Sequence, residues 1–381
     1  INHSEVELAT ASNPQIRLIT IAKNGTQIPQ DNIKGQWTTA TAQSVSNFSA
    51  VGFLFGKRLQ SALDVPIGLI DNSWGGSAAE AWVPREVLER TGSFDDYIKT
   101  MDERCSQYTD EIHAKKIAEF KNWEASGKPE PRLRWPNDPR YNQHRPANIY
   151  NGMLHPLMGY GIKGVIWYQG ESNTSRSDQY RELFPLMIST WRDIWKQGDF
   201  PFYWAQLTYF HEEVTNSNTD SWWARLREAQ TMARSLPNTG EAVIIDVGEG
   251  RDIHPRDKQT VADRLARHAL SKDYGFEMAS DSPSFASMVV DGNSIRISFN
   301  SVSRGGLRAF DVTNVRGFRI AGEDRKFVWA DAQIIGKNKI KVSSDSVVNP
   351  VAVRYAWADN PVANLEDRNG LPVTPFRTDN W

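Results

Sequence analysis

Five short apolar runs punctuate the first two thirds of the chain: Ile16 to Ile21, Pro66 to Ile70, Gly164 to Tyr168, Pro201 to Leu207 and Ala242 to Val247. Each is rich in β-branched or aromatic residues and too short for a buried helix, so each predicts a strand. Between them the period lengthens. Ser46 to Leu63 repeats Val51, Leu54, Phe55 and Leu59 at three- and four-residue spacings, and Asp178 to Lys196 sets Tyr180, Leu183, Phe184, Met187, Trp191 and Ile194 on one stripe. Strand alternating with helix predicts a three-layer α/β/α sandwich around a parallel sheet.

Two regions depart from that alternation. Phe94 to Gly127 is a charged helical stretch and Lys128 to Pro146 is rich in proline and arginine, together an insertion over about 94–146. A solvated excursion is the plainer expectation for it, a border of the site the alternative. After about Asp273 the pattern changes to short alternating segments (Ser294 to Phe299, Phe318 to Ile320, Lys339 to Val342, Ala352 to Ala356) bounded by Gly, Asn, Asp and Pro. The expected organisation is a catalytic domain over 1–272 and a smaller β-rich subdomain over 273–381.

Three of the strands run abruptly into polar residues, where open α/β sheets bind ligands. In KGVIWYQGESN, Lys163 to Asn173, the strand gives way to Gln169, Gly170, Glu171, Ser172 and Asn173. In VPIGLIDNSWGGSAAEAWVP, Val65 to Pro84, Trp74 is followed by the pair Gly75 and Gly76, which lets backbone N–H groups approach a ligand closely. In IIDVGEGRDIHPRDK, Ile244 to Lys258, a glycine-rich loop carries Asp252 and His254 ahead of a helix. An exposed histidine flanked by carboxylates suits a general base.

Composition narrows the partners. Lys and Arg number 44 against 46 Asp and Glu, so no global charge favours nucleic acid or an anionic membrane. Cys105 is the single cysteine, which rules out an intrachain disulfide and a CxxC metal site. No cofactor is implied, and no apolar run is long enough for a membrane span. Fourteen tryptophans, flat apolar faces with a polar edge, lean toward a small sugar ligand.

Taken in order, NSWGGS, WYQGESN and DIHPRDKQ resemble the sialate O-acetylesterases of the SGNH (GDSL-like) hydrolases. RPANIYNGMLHPLMGYGIKG and VRYAWADNPVANLEDRNGLPVTPFRTDNW extend the resemblance over essentially the whole chain. It implies an esterase that removes acetyl groups from sugars through a serine acyl-enzyme, with His254 as general base. Gly75 or Gly76 would donate a backbone N–H to the oxyanion and Gln169 or Asn173 a side-chain amide. Family members are commonly exported or lysosomal, so an extracytoplasmic location is expected. Trp74, Glu171 and Arg225 are the candidate substrate contacts, the arginine for a carboxylate such as that of sialic acid.

Two departures accompany the resemblance. The family's aspartate three residues before the histidine is Arg251 here, so the third triad member is open between Asp252, a backbone carbonyl serving a Ser-His dyad, and Glu249. The family's nucleophile lies in a GQSN motif, which this sequence lacks. The nucleophile serine is therefore expected on polypeptide upstream of Ile1, as an amino-terminal segment or chain. Other readings are an acetyl xylan or other polysaccharide acetylesterase, a glycosidase pairing Glu171 with Glu249, and a non-catalytic carbohydrate-binding fragment. Of four sequons (Asn2, Asn24, Asn47 and Asn173), the last overlaps the site and is expected to be unmodified.

Overall fold

The computed structural model describes residues 1–218 and 220–381, a mixed α/β molecule with several sheets and a β-rich carboxyl-terminal region. Its first six strands are β1 (Asn13–Thr20), β2 (Thr38–Ala40), β3 (Ile67–Asp71), β4 (Val165–Trp167), β5 (Phe202–Ala205) and β6 (Thr239–Ala242). The helices are α1 (Ser4–Ala9), α2 (Ala42–Ser46), α3 (Ala50–Leu63), α4 (Arg85–Thr91), α5 (Asp95–Ser106), α6 (Asp110–Ala125), α7 (Ser177–Trp195), α8 (Trp222–Met232) and α9 (Lys258–His268).

The parallel strands do not form one sheet. β1 pairs parallel with β3 and antiparallel with β2, in the order β2-β1-β3, whereas β4, β5 and β6 form a separate all-parallel sheet in that order. β3 and β4 are thus both edge strands. Shared cores tie the two sheets together. One apolar cluster joins Ile19 and Ile21 to Trp167, Phe202 and Trp204 beneath the α7 stripe of Tyr180, Leu183, Phe184, Met187 and Trp191. A second packs Leu59 of α3 and Val261 and Leu265 of α9 on Tyr203, Ala205 and Ala242. The α7 stripe recurs at helical spacing, which is why periodicity alone located this helix to within one residue at each end.

The last expected parallel strand is displaced. Ladder pairing covers Thr239–Ala242, and the apolar residues that follow leave the sheet. Val243 and Ile245 enter the β-rich core while Ile244 packs in the cluster under α9. Burial on two opposite sides made this segment apolar without any strand partner.

The carboxyl-terminal region holds β7 (Ser284–Asp291), β8 (Ser294–Asn300), β9 (Leu307–Ala309), β10 (Phe318–Gly322), β11 (Phe327–Trp329), β12 (Asp331–Gly336), β13 (Lys339–Ser343), β14 (Pro350–Tyr355), β15 (Leu365–Asp367) and β16 (Phe376–Arg377). Two four-stranded antiparallel sheets, β12-β13-β8-β7 and β11-β10-β14-β16, and the β9-β15 pair contribute to one core around Ile295, Ile297, Phe318, Ile340, Val353 and Tyr355. Since Val243 and Ile245 share that core, the β-rich region buttresses the segment that leads to His254. Arg227 of α8 adds a second tie, donating to the Leu207, Thr208, Ala358 and Asp359 carbonyls. It is a buried structural group, held below the usual arginine range by burial. No helix among the described residues is long and apolar enough to cross a membrane.

Candidate active site

Loops leaving the carboxyl ends of β3 and β4 meet. Ser172 Oγ donates to Gly76 O at 2.8 Å, and Gln169 Nε2 donates to Ser77 O at 2.9 Å. The turn itself is open: a Cβ on Gly75 would meet nothing within 4 Å, and Gly76 adopts φ +69, which favours glycine. Among the described residues neither glycine N–H has a hydrogen-bond acceptor, and both residues are exposed. Two free backbone donors at an open turn are what an oxyanion requires.

Beneath the turn lies a buried polar lattice. Asn173 is fully buried; its Oδ1 accepts from Ala79 N at 3.0 Å and Gln169 Nε2 at 2.8 Å, and its Nδ2 donates to Glu80 Oε2 at 2.9 Å. Gln169 Oε1 accepts from Tyr180 Oη at 2.9 Å, so this side chain is satisfied at both ends. Glu80, also fully buried, is paired with Arg176 at 3.1 Å, and the Arg176 guanidinium lies over the Tyr97 ring at 4.3 Å. Sequence reasoning missed Glu80 and Arg176: Glu80 stands within the Val65 to Pro84 stretch but past its glycine turn, Arg176 lies beyond Asn173, and only the fold brings them together. The sequon asparagine at 173 is buried and hydrogen-bonded, inaccessible to glycosylation.

His254 stands on the third loop with 85% of its side chain exposed. Its backbone N–H donates to Asp252 Oδ1 at 2.9 Å and its Nδ1 lies 3.6 Å from the same oxygen, just beyond hydrogen-bond range. Asp252 thus shapes the turn that carries the imidazole. Glu249 is committed elsewhere, with both carboxylate oxygens on Arg256 at 3.1 and 3.2 Å. It makes no hydrogen bond or ion pair with His254 among the described residues.

Glu171 follows β4 directly and lies within electrostatic reach of His254 and Lys258. Burial pushes its carboxyl above the usual range, against the smaller opposing pull of a backbone hydrogen bond and of the His254 and Lys258 side chains. Lys258, first residue of α9, sits 5.0 Å from the Tyr168 ring centre and is held below the usual lysine range by burial. The β4 and His254 loops are therefore neighbours. Trp74 packs against the main apolar cluster from the turn. Arg225 is engaged by carboxylates: its guanidinium is held by Asp220 at 3.0 Å, with Asp178 at 3.7 Å.

The insertion also reaches the site. Gln143 Nε2 donates to Gly75 O at 3.4 Å and Gln143 O accepts from Ala78 N at 3.2 Å. The proline- and arginine-rich loop is thus a wall of the glycine turn.

The family model of sialic acid-specific acetylesterases among the carbohydrate esterases matches residues 137–270, which contain the β4 and His254 loops. A solved carbohydrate acetylesterase from Xanthomonas citri is 36% identical, superposes with a TM-score of 0.81, and is matched over 99% of this chain and 76% of its own. The chain belongs to the sialate O-acetylesterase family. It is a carboxylic ester hydrolase. Mouse sialate O-acetylesterase is 29% identical over 96% of this chain and 72% of its own length, and the human protein 26% over 96% and 69%. This esterase carries its glycine turn, its QGES loop and its His254 loop on a scaffold of two sheets and a β-rich flank.

Proposed function

We propose that this esterase removes O-acetyl groups from sialic acid or a related sugar through a serine acyl-enzyme, outside the cytoplasm, and that its nucleophile is supplied by polypeptide beyond these 381 residues. One observation carries the reading: β3 and β4 are both parallel edge strands, and their carboxyl ends deliver the glycine turn and the QGES loop, which touch. A strand running parallel between them would join the two sheets into the single parallel sheet of a three-layer sandwich. Its last residue would emerge between Gly75, Gly76 and Gln169, on the side where Glu171 meets His254. Two bare edges are otherwise a liability for aggregation.

In the completed site a serine hydroxyl attacks the acetyl carbonyl as His254 takes its proton. The Gly75 and Gly76 N–H groups receive the oxyanion. Both Gln169 amide N–H groups are spent on Ser77 O and Asn173 Oδ1, and Asn173 is fully buried with one of its two on Glu80, so we read both side chains as braces of the turn and leave the oxyanion to the glycine N–H groups. The sugar alcohol leaves with the proton held by His254, and water then attacks the acyl-enzyme by the same route in reverse. Asp252 shapes the loop, and Glu171 offers a half-buried carboxyl to balance the imidazolium.

The test joins intact mass to activity. Native purified protein that hydrolyses 4-nitrophenyl acetate is expected to contain polypeptide additional to this chain, and His254→Ala in that active protein is expected to lower the rate at least about 10²-fold. Full activity from a species with the mass of this chain alone would overturn the split site. A loss under about tenfold would remove His254 as the base.

A further inference from the structure

The insertion presents an exposed aromatic beside unpaired guanidiniums, on an arm whose next residues reach the glycine turn. Trp135 is 58% exposed, yet its ring is set edge-on against Phe120 (centroids 5.3 Å, interplanar 76°), an anchor that leaves surface of the ring in solvent. Two residues on, Asn137 Nδ2 donates to Gln143 Oε1 at 3.3 Å, and Gln143 is the side chain that holds Gly75 O. The arm is therefore tied through one glutamine to the proposed oxyanion turn.

The cations of this segment divide into two kinds. Lys128 pairs with Glu124, Arg140 with Asp138 and Asp110, and Arg145 approaches Asp102. Arg132 and Arg134 are exposed and their guanidiniums form no ion pair among the described residues; Glu130 Oε2 accepts from the Arg132 backbone N–H at 2.9 Å rather than from its side chain. In a chain of net charge −2, two unpaired guanidiniums within three residues of an exposed indole form a local positive site. Indole faces suit sugar rings, and guanidinium forks suit carboxylates.

We propose that the Arg132–Trp135 arm recognises a carboxylate-bearing sugar, with Trp135 packing on the ring and Arg132 and Arg134 taking the carboxylate. This rests on the sugar-esterase reading and specifies its substrate class. The role of carboxylate grip thereby passes from Arg225, which Asp220 already holds, to the insertion.

Titration of the full chain with N-acetylneuraminic acid and with its methyl ester tests the arm, because binding needs no nucleophile. The acid is expected to bind about tenfold or more tightly than the ester, the size of a charge-assisted hydrogen bond. Arg132→Ala/Arg134→Ala is expected to erase that preference, and Trp135→Ala to weaken both ligands. The double variant alters only exposed side chains, and thermal melting checks that it folds. Equal affinity for acid and ester, no binding of either, or a double variant that keeps the preference would overturn the proposal. Hydrolysis of 4-nitrophenyl acetate by the native protein, measured in parallel, reports separately on the esterase reading. Activity with charge-blind binding refutes the arm alone, and charge-selective binding without activity refutes the chemistry alone.

Discussion

Asn173→Ala removes one side chain from the floor of the site and strands three partners. The Ala79 N–H and one Gln169 N–H lose their acceptor, and Glu80 Oε2 loses a donor, with Arg176 at 3.5 Å as its remaining contact. Each unsatisfied buried group costs about 1–3 kcal/mol, and partial relaxation makes the sum less than additive, so the expected loss is about 3–5 kcal/mol. An unfolding entropy of about 2.1 cal/mol/K per residue over 381 residues is on the order of 0.8 kcal/mol/K for cooperative unfolding. The melting temperature should therefore fall by about 4–6 °C. Asn173→Asp keeps an acceptor for Ala79 and Gln169 but sets a second carboxylate against Glu80, and should be no more stable than the alanine variant at neutral pH. Scanning calorimetry measures both. Should Asn173→Ala melt within about 1 °C of wild type while the rate of the complete enzyme drops 10²–10³-fold, Asn173 is an oxyanion donor and the brace argument is wrong.

Two further outcomes follow from the geometry. His268 is fully buried, stacks on Tyr203 at 5.4 Å, faces Asp281, Lys272 and Arg234, and has its pKa lowered from 6.5 to about 4, chiefly by burial. The unfolded chain therefore binds this proton more readily, so stability is present above about pH 6.5 and drains as pH falls toward 4, at up to about 1.4 kcal/mol per unit. Replacement of His268 by Gln should flatten that part of a stability-against-pH curve, and an unchanged slope would refute the assignment. At the glycine turn, Gly76→Ala should cost about 1 kcal/mol because φ is +69, while Gly75→Ala, facing open space at an unstrained φ, should leave the denaturation midpoint unchanged. Equal costs at the two positions would show that the turn is not strained as described.

The parts legible in the sequence share one property: they are local. The α7 stripe, the apolar runs of β1, β3, β4 and β5, and the polar breaks after β3 and β4 are encoded within about twenty residues. Where apolarity had a different cause the reading slipped. Val243 to Val247 is apolar because it bridges two cores, a burial that has the same apolar signature as a strand. The insertion at 128–146 looked like a solvated excursion because its contacts to Gly75 and Ala78 join residues more than sixty positions apart.

By itself, then, the sequence determined that three strand-end loops carry a glycine turn, an amide-rich segment and an exposed histidine, in the order of an esterase family, without that family's serine motif. Tertiary structure decided how these are used. It tied Ser172 to Gly76 across 96 residues and Asn173 to Ala79 across 94, bound Glu249 to Arg256 and Arg225 to Asp220, and left β3 and β4 each at the edge of its own sheet. The physical reason is that propensity and periodicity act on neighbours along the chain, whereas the partner of a buried amide or of a sheet edge is chosen by packing.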